Sequence, residues 1–221
     1  MKNSSWQTKT LVQLAGLVLF FIIWQVLSGF YSHVIIPSPR DVACSLIDQV
    51  ISGELWEHAR QSIVRGLAGF GLALAIGTPL GLLIGLNPVA SGLFRPAIVV
   101  LQVTPLISWL LLAMIWLGFS KVPIFIVFVT TLPLIVINVY QGVRNIDRQL
   151  LQMASVFKIN NSRIIREIYL PQVAPYLMAG IANALGTTWK AVAMAEFLSV
   201  QTGIGASMSV ARMNLETADL F

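Results

Sequence analysis

The chain has 221 residues, of which 57% are hydrophobic and only 10% are charged. A typical soluble domain carries about 25% charged residues, and a folded monomer this poor in charge could not cover its surface with polar groups. The composition therefore excludes the ordinary soluble classes and indicates an integral membrane protein. The single cysteine, Cys44, and two isolated histidines, His33 and His58, predict neither a disulfide framework nor a metal site.

Five stretches poor in charge are long enough to cross a bilayer, which takes about 20 residues. They are residues 11–30, 66–86, 97–118, 122–141 and 174–198. Such spans must be helical, because lipid offers no hydrogen-bond partner to an unpaired backbone group. We therefore predict an all-α, multi-pass membrane helical bundle of five spans, forming a single transmembrane domain over residues 1–221.

The distribution of basic residues predicts the orientation of the bundle. With a cytoplasmic N-terminus, eight Lys and Arg residues outside the spans lie on the cytoplasmic side and five lie on the other side. The positive-inside rule therefore favours a cytoplasmic N-terminus in the inner (cytoplasmic) membrane. The same distribution accounts for the net charge of +5 without a nucleic-acid partner.

The segment between the first two spans contains a helix start. Ser38 can cap a helix, Pro39 suits the first helical position, and Asp41 completes a capping box. The apolar residues that follow share one helical face: Val42, Leu46, Val50 and Ile51. This pattern predicts a short amphipathic helix at the membrane interface.

The polar segment 142–172, on the predicted cytoplasmic side, also has helical periodicity. Its apolar residues repeat at helical spacing in two groups: Ile146, Leu150, Leu151, Ala154 and Phe157, then Ile164, Ile165 and Ile168. Residues 158–161 separate the groups, and Asn160 and Asn161 tolerate the left-handed backbone that such a break needs. The apolar face would either bind a protein partner or pack on its own bundle, and periodicity leaves both open.

Small residues in the second span indicate tight helix packing. Gly77, Gly81 and Gly85 recur every four residues, which lets another helix approach closely. Prolines in or near the spans, Pro105 among them, could mark kinks, although prolines are common in membrane helices.

Polar residues within the spans are candidates for a permeation pathway. Lys190 and Glu196 are six residues apart, about 120° from sharing a helix face, so each needs a contact elsewhere. Each serves either the pathway or the structure, and most of the other polar residues could instead form ordinary inter-helix hydrogen bonds. The pathway candidates are Gln102, Ser108, Asn138, Asn183, Thr187, Lys190 and Glu196.

No enzymatic constellation is visible in the sequence. It lacks the G-x-x-x-x-G-K-[ST] phosphate loop, the H-E-x-x-H zinc motif and the G-x-S-x-G nucleophile elbow. We therefore expect that the chain is not an enzyme and binds no cofactor itself.

The loop resembles that of permease subunits of ABC importers, which has the form E-A-A-x3-G-x9-I-x-L-P. Gln152-Met153-Ala154 stands at the E-A-A position, Lys158 at the glycine, and Ile168-Tyr169-Leu170-Pro171 at I-x-L-P. Three positions depart from the motif: Glu is Gln152, the second residue is Met153, and Gly is Lys158. Gln152 cannot form the ion pair that a Glu could form with an ATPase arginine.

Further blocks resemble the sulfonate, nitrate and taurine branch of these permeases. They include Ile36-Pro37-Ser38-Pro39, Trp116-Leu117-Gly118, Ala195-Glu196 and Gly203-Ile204-Gly205, and the resemblance covers roughly residues 30–215. It implies the type I permease fold of ABC importers, usually with six spans. Because the chain ends about where a sixth span would begin, we expect a truncated sequence or a shorter form that lacks the C-terminal span.

The resemblance also implies a function and partners. The chain would be the membrane-spanning subunit of an ATP-driven, binding-protein-dependent importer of a small polar solute of the sulfonate, nitrate, taurine, bicarbonate or thiamine-precursor type. Cytoplasmic ABC ATPase subunits would hold ATP and Mg²⁺, an extracytoplasmic solute-binding protein would deliver the solute, and a second permease copy would complete a homodimer. An ATP-independent channel or secondary carrier is the alternative. The implied ATPase-coupling residues are Gln152, Met153, Ala154, Phe157, Lys158, Ile168, Leu170 and Pro171.

Overall fold

The computed structural model describes residues 4–32 and 34–220, and the regular elements in this part of the chain are all helices, without a strand. The all-α prediction is thereby confirmed. The helices are α1 (Ser4–Phe30), α2 (Pro39–Ser52), α3 (Glu54–Leu86), α4 (Pro88–Val103), α5 (Leu106–Leu117), α6 (Val122–Arg144), α7 (Arg148–Val156), α8 (Asn161–Ile164), α9 (Leu170–Ser199), α10 (Ile204–Asn214) and α11 (Thr217–Leu220). A 3₁₀ turn, Phe119–Lys121, precedes α6, and a π-helical turn, Ile165–Tyr169, precedes α9.

Local capping explains where several of these helices begin. The Ser38 hydroxyl accepts from the Asp41 backbone N–H at 3.2 Å, and the Asp41 carboxylate accepts from the Ser38 N–H at 3.2 Å, which confirms the predicted capping box of α2. Gly53 ends α2 in the left-handed conformation, with φ of 82°. The Asn87 side chain accepts from the Val89 and Ala90 N–H groups and so caps α4.

The chain folds as two compact units, and the first comprises residues 1–59 and 207–221. In its described part, the Trp24 indole N–H donates to the Pro37 carbonyl at 3.0 Å, and Ser45 donates to Asp219. None of the apolar stretch of α1 is buried within the chain. Lipid or another chain must therefore cover α1.

The second unit, residues 60–206, is built around α6. A seam of glycines on α3 lets the two backbones approach: a Cβ on Gly81 would lie 2.7 Å from the Val139 Cβ, and one on Gly85 would lie 2.6 Å from the Val143 Cβ. A Cβ on Gly77 would likewise meet Ile135. The predicted close approach at these glycines is confirmed, and its partner is α6.

Helix α9 packs on α6 by the same means. Gly180 lies against Asn138, and Gly142 lies against Tyr176, each too close for an added Cβ to fit without a shift. Gly66 of α3 in turn meets Thr188 and Trp189 of α9. Within this unit, α3, α6 and α9 are therefore in mutual contact and form its core.

The predicted span 97–118 is not one helix. The axes of α4 and α5 differ by 101°, and the break falls at Thr104 and Pro105. Pro105 lacks the backbone N–H that would continue the helix. The Val100 carbonyl accepts both the Thr104 N–H at 3.1 Å and the Thr104 hydroxyl at 2.7 Å. The pair is either a broken span or a re-entrant loop.

By length and composition, three helices of the described chain can cross a membrane: Thr10–Phe30, Glu54–Leu86 and Phe119–Arg144. The bent pair α4–α5 would be a fourth. Helix α9 carries the predicted fifth span but is not among them, because residues such as Asn183, Lys190 and Glu196 interrupt its apolar run.

Candidate functional site

The loop that follows α6 contains a short helix with defined ends. The Asp147 carboxylate caps α7 by accepting from the Gln149 N–H at 2.8 Å. At its other end the Ile159 N–H donates to the Ala154 carbonyl at 3.0 Å, and the Lys158 N–H donates to the Ser155 carbonyl at 3.1 Å. These two hydrogen bonds form a Schellman motif.

The left-handed residue of this motif is Lys158, with φ of 47°. It stands at the position where the resembling permeases have glycine, so the turn geometry that glycine favours is retained with a lysine. The prediction had assigned the left-handed backbone to Asn160 or Asn161, which is wrong. Asn160 instead accepts the Ser162 N–H at its side chain and so begins α8.

One side of α7 is anchored in the bundle. Ala154 is 0% exposed, Ile146 is buried, and Leu150 and Leu151 pack against the same core cluster. This core also contains Val143 of α6 and Val173 of α9. The helix is therefore fixed to α6 and α9 through its apolar side chains.

The other side of α7 projects away from the bundle. Met153, Val156 and Phe157 are 47%, 76% and 72% exposed, and Gln152 is exposed beside them. The helical repeat had placed Phe157 on the same face as Ala154. It lies elsewhere because α7 ends at Val156 and Phe157 already belongs to the turn.

The eight residues assigned to the coupling loop by resemblance thus fall into two groups. Ala154 and Ile168 are buried in the core and have no surface to offer a partner. The exposed ones are Gln152, Met153, Phe157, Lys158, Leu170 and Pro171. The loop therefore combines both alternatives left open by the sequence, since it packs on its own bundle and also presents an uncovered apolar surface.

A buried ion pair lies at the far end of α9. Glu196 is 0% exposed, and its carboxylate accepts from the Arg65 guanidinium at 2.7 Å, from the Ser62 hydroxyl at 2.6 Å and from the Gly205 N–H at 3.2 Å. Gly203, with φ of 111°, is so close that a side chain there would overlap the carboxylate. Three donors thus compensate the cost of burying the charge.

Arg65 and Ser62 extend this cluster to the turn between α9 and α10. The Arg65 guanidinium also donates to the Thr202 carbonyl and hydroxyl, and the Ser62 hydroxyl accepts the Ile204 N–H at 2.9 Å. The cluster therefore joins α3, α9 and the turn after α9. Sequence reasoning did not identify Ser62, Arg65 or Thr202, although a charge just before a span, such as Arg65, is a natural partner for Glu196.

Lys190 and Glu196 do not pair with each other, as their spacing predicts, and the contact expected elsewhere is found for Glu196 with Arg65. Lys190 is exposed, whereas Glu196 is enclosed. Because the Glu196 oxygens already accept three hydrogen bonds within the chain, the geometry supports the structural alternative for this residue.

The remaining pathway candidates are not brought together in one place. Asn138 donates to the Leu134 carbonyl at 2.8 Å, and Thr187 donates to the Asn183 carbonyl at 3.0 Å, which are bonds within their own helices. Ser108 is half-buried on α5, and Gln102 is exposed on α4, where it lines a cavity. Of the seven, only Gln102 lines this cavity.

Within residues 4–32 and 34–220, no three His, Cys, Asp or Glu side chains are placed to hold a metal ion. Cys44 is exposed, and His33 lies outside the described residues.

Sequence comparison finds a family and several relatives. A family model described as a binding-protein-dependent transport system inner membrane component matches residues 77–220. The Escherichia coli (strain K12) protein named as an aliphatic sulfonates transport permease, SsuC, is 35% identical over 198 residues, covering 88% of this chain and 75% of the relative. The bicarbonate transport system permease protein CmpB of Synechococcus elongatus is 29% identical over 209 residues, covering 88% and 74%.

Among solved structures, a chain of the MetNI methionine ABC transporter in an inward-facing conformation has a similar fold. The TM-score is 0.58 at 18% sequence identity, and the match covers 79% of this chain and 89% of that one. At this identity the likeness shows the fold alone, and that fold is the type I permease fold expected from the loop motif.

Proposed function

The chain belongs to the family of inner membrane components of binding-protein-dependent transport systems, and from this premise we propose that a separate ATPase drives it through α7. It is the permease component of an ABC importer.

The observation that carries the proposal is the two-sided packing of α7. Ala154, Leu150 and Leu151 hold the helix on α6 and α9, while Val156 and Phe157 remain 76% and 72% exposed at its end. Because α7 is fixed to the bundle and its apolar end is uncovered, a partner that binds and moves this end would also move the spans. Two packed arrangements of such a bundle would interconvert as rigid bodies.

We assign the partners accordingly. ABC ATPase subunits on the cytoplasmic side would receive Met153, Val156 and Phe157 in a groove and would bind ATP and Mg²⁺ themselves. An extracytoplasmic binding protein would deliver the solute, and a second copy of the permease would complete the pathway. This arrangement requires the N-terminus and the loop 142–172 to be cytoplasmic, as the basic residues favour.

We further propose that the solute is a small, polar anion. The relatives from Escherichia coli and Synechococcus elongatus are named for aliphatic sulfonates and bicarbonate, both of which are anions. Nitrate is a further anion among the solutes predicted from the resemblance, and taurine, a zwitterion, and thiamine precursors are the compounds to compare with it.

The test is co-expression of the permease with its ATPase, followed by reconstitution with the binding protein and measurement of ATP hydrolysis. Phe157→Ala should leave the purified yield unchanged and abolish the stimulation of ATP hydrolysis. The matched control is Phe119→Ala, because Phe119 is 63% exposed in the turn at the opposite end of α6. Equal stimulation in both variants, or solute flux that persists without ATP, would contradict the proposal.

A further inference from the structure

A cavity of about 220 Å³ lies between α3, α4 and α6, within the second unit. This volume is smaller than the roughly 300–1,000 Å³ of pockets for drug-sized ligands, so it suits a small molecule. Its apolar lining is formed by Ile84, Ile98, Val99, Val136 and Ile137, and its polar lining by Arg95, Gln102, Tyr140 and Gln141.

The cavity carries a positive charge that no neighbouring carboxylate balances. None of its lining residues is acidic, and Arg95 forms no ion pair with any residue of the described chain. The Arg95 guanidinium carbon lies 5.5 Å from the centre of the Tyr140 ring. This cation–π contact can orient the guanidinium between α4 and α6 without occupying its N–H donors in hydrogen bonds.

Two amides add further hydrogen-bonding capacity. Arg95 and Gln102 are seven residues apart on α4, which is about 700° of rotation, so the two share one face of the helix. Gln141 follows Tyr140 on α6 and completes the polar lining. Both side chains are exposed, so their amide groups are open to a ligand.

We propose that this cavity is an oxyanion-binding site, in which the Arg95 guanidinium forms charge-assisted hydrogen bonds with a carboxylate- or sulfonate-type group and the amides of Gln102 and Gln141 donate to its remaining oxygens. Arg95, Gln102 and Gln141 are exposed, so an anion can reach them from outside, and the charge of Arg95 makes its hydrogen bonds stronger than neutral ones. The assignment gives Gln102, predicted as a pathway residue, a defined role. It rests on the proposed anionic solute class.

The site lies toward the loop end of α6. Tyr140 and Gln141 are within about one turn of Arg144, where the helix ends, and α7 follows four residues later. An anion held here would therefore sit near the helix that we assign to the ATPase. The site is thus placed where a solute would leave the bundle on the cytoplasmic side.

The test is the thermal stability of the full-length permease in nanodiscs, without ATP. Methanesulfonate and sulfate should raise its melting temperature in a dose-dependent way, relative to sodium chloride at equal ionic strength. In Arg95→Gln the apparent affinity should fall about tenfold or more, because a charged donor is lost. Lys121→Gln, which removes one positive charge at the other end of α6, should leave the affinity unchanged.

Two further variants of the cavity test anion binding if Arg95→Gln folds poorly. Gln102→Leu retains the charge and should weaken binding several-fold, while Arg95→Lys should bind better than Arg95→Gln. Nanodiscs of phosphatidylcholine alone and with phosphatidylglycerol separate the two sources of an oxyanion. If only phosphatidylglycerol stabilises the protein, and does so through Arg95, the oxyanion belongs to a lipid headgroup and the solute assignment is overturned.

The site itself is overturned if no anion stabilises the wild-type protein, or if Arg95→Gln and Lys121→Gln respond alike. Because binding is measured without ATP, Phe157→Ala should retain it. Loss of ATPase stimulation in that variant and loss of anion binding in Arg95→Gln are therefore separate outcomes, and either proposal can fail alone.

Discussion

Two ion pairs near opposite ends of α9 differ in their surroundings. Arg65 and Glu196 lie 2.7 Å apart, with side chains 18% and 0% exposed, whereas Arg163 and Glu167 lie 2.9 Å apart, with side chains 67% and 54% exposed. The first pair joins residues 131 positions apart in the sequence. The second is an i,i+4 pair in the loop before α9.

The difference separates a structural region, around Glu196, from a region that can bind other partners, in the loop before α9. The Glu196 carboxylate is 0% exposed and accepts three hydrogen bonds from within the chain, so an outside partner cannot reach it without rearrangement. An exposed i,i+4 pair contributes only about 0.3–0.5 kcal/mol and exchanges readily with water or another protein. We infer that the Glu196 end of α9 is structural and that the loop end remains available for docking.

The largest effect is expected at the buried pair. Glu196→Ala should lower the free energy of unfolding by about 3–5 kcal/mol, because the partly buried Arg65 loses its partner. The measurement is an SDS unfolding titration of the purified permease. Lys190→Ala, on the same helix but exposed, should change it by at most about 0.5 kcal/mol. Similar losses of unfolding free energy in the two variants would contradict a structural role for the buried pair.

Substitution of a glycine in the contact between α3 and α6 tests how closely the two helices pack. Gly81→Ala should cost about 1–3 kcal/mol, since the new Cβ would lie 2.7 Å from the Val139 Cβ and 2.8 Å from the Val136 carbonyl oxygen. Gly71→Ala on the same helix meets no atom within 4 Å and should be neutral or slightly stabilising. The melting temperatures of the two variants in detergent are the readout, and an equal loss in both would argue against the close approach of α3 and α6.

In the loop, relief of backbone strain is expected to stabilise the protein. Lys158→Gly should raise the free energy of unfolding by about 1 kcal/mol, because a left-handed backbone costs a non-glycine residue roughly this much. Asn160→Gly serves as the opposite control, because Asn160 does not have a positive φ and its side chain accepts the Ser162 N–H, so this variant should lose stability. A loss of stability in Lys158→Gly would mean that the lysine side chain contributes contacts of its own.

The smallest effect is expected at the surface pair. A double-mutant cycle with Arg163→Ala and Glu167→Ala should give a coupling energy of about 0.3–0.5 kcal/mol, decreasing as salt is added. A value above about 2 kcal/mol would show that the loop is held as firmly as the Glu196 cluster.

Several features were predictable because their causes are local. The capping box of Ser38 and Asp41 needs only residues three positions apart, and the close approach at Gly77, Gly81 and Gly85 needs only a repeat of four. The membrane class followed from composition, and α7 followed from periodicity, whereas the predicted second short helix runs on without a break through the π-helical turn into α9.

Other features were not predictable from local patterns. The apolar residues 97–118 predict one span although Pro105 breaks the helix, because hydropathy does not depend on whether a helix is bent. The helical repeat could not tell that α7 ends at Val156, which leaves Phe157 exposed, nor that Ala154 lies inside the core instead of against a partner.

The sequence by itself determined that this chain is a helical membrane protein with an ABC importer permease motif, because composition, helical periodicity and motif spacing depend on residues close together in the chain. Only the tertiary structure decided that Glu196 pairs with Arg65 and Ser62, that Gly203 and Gly205 enclose its carboxylate, and that Arg95 stacks on Tyr140 beside a cavity. These contacts join residues far apart in sequence, and their existence depends on how α3, α4, α6 and α9 pack.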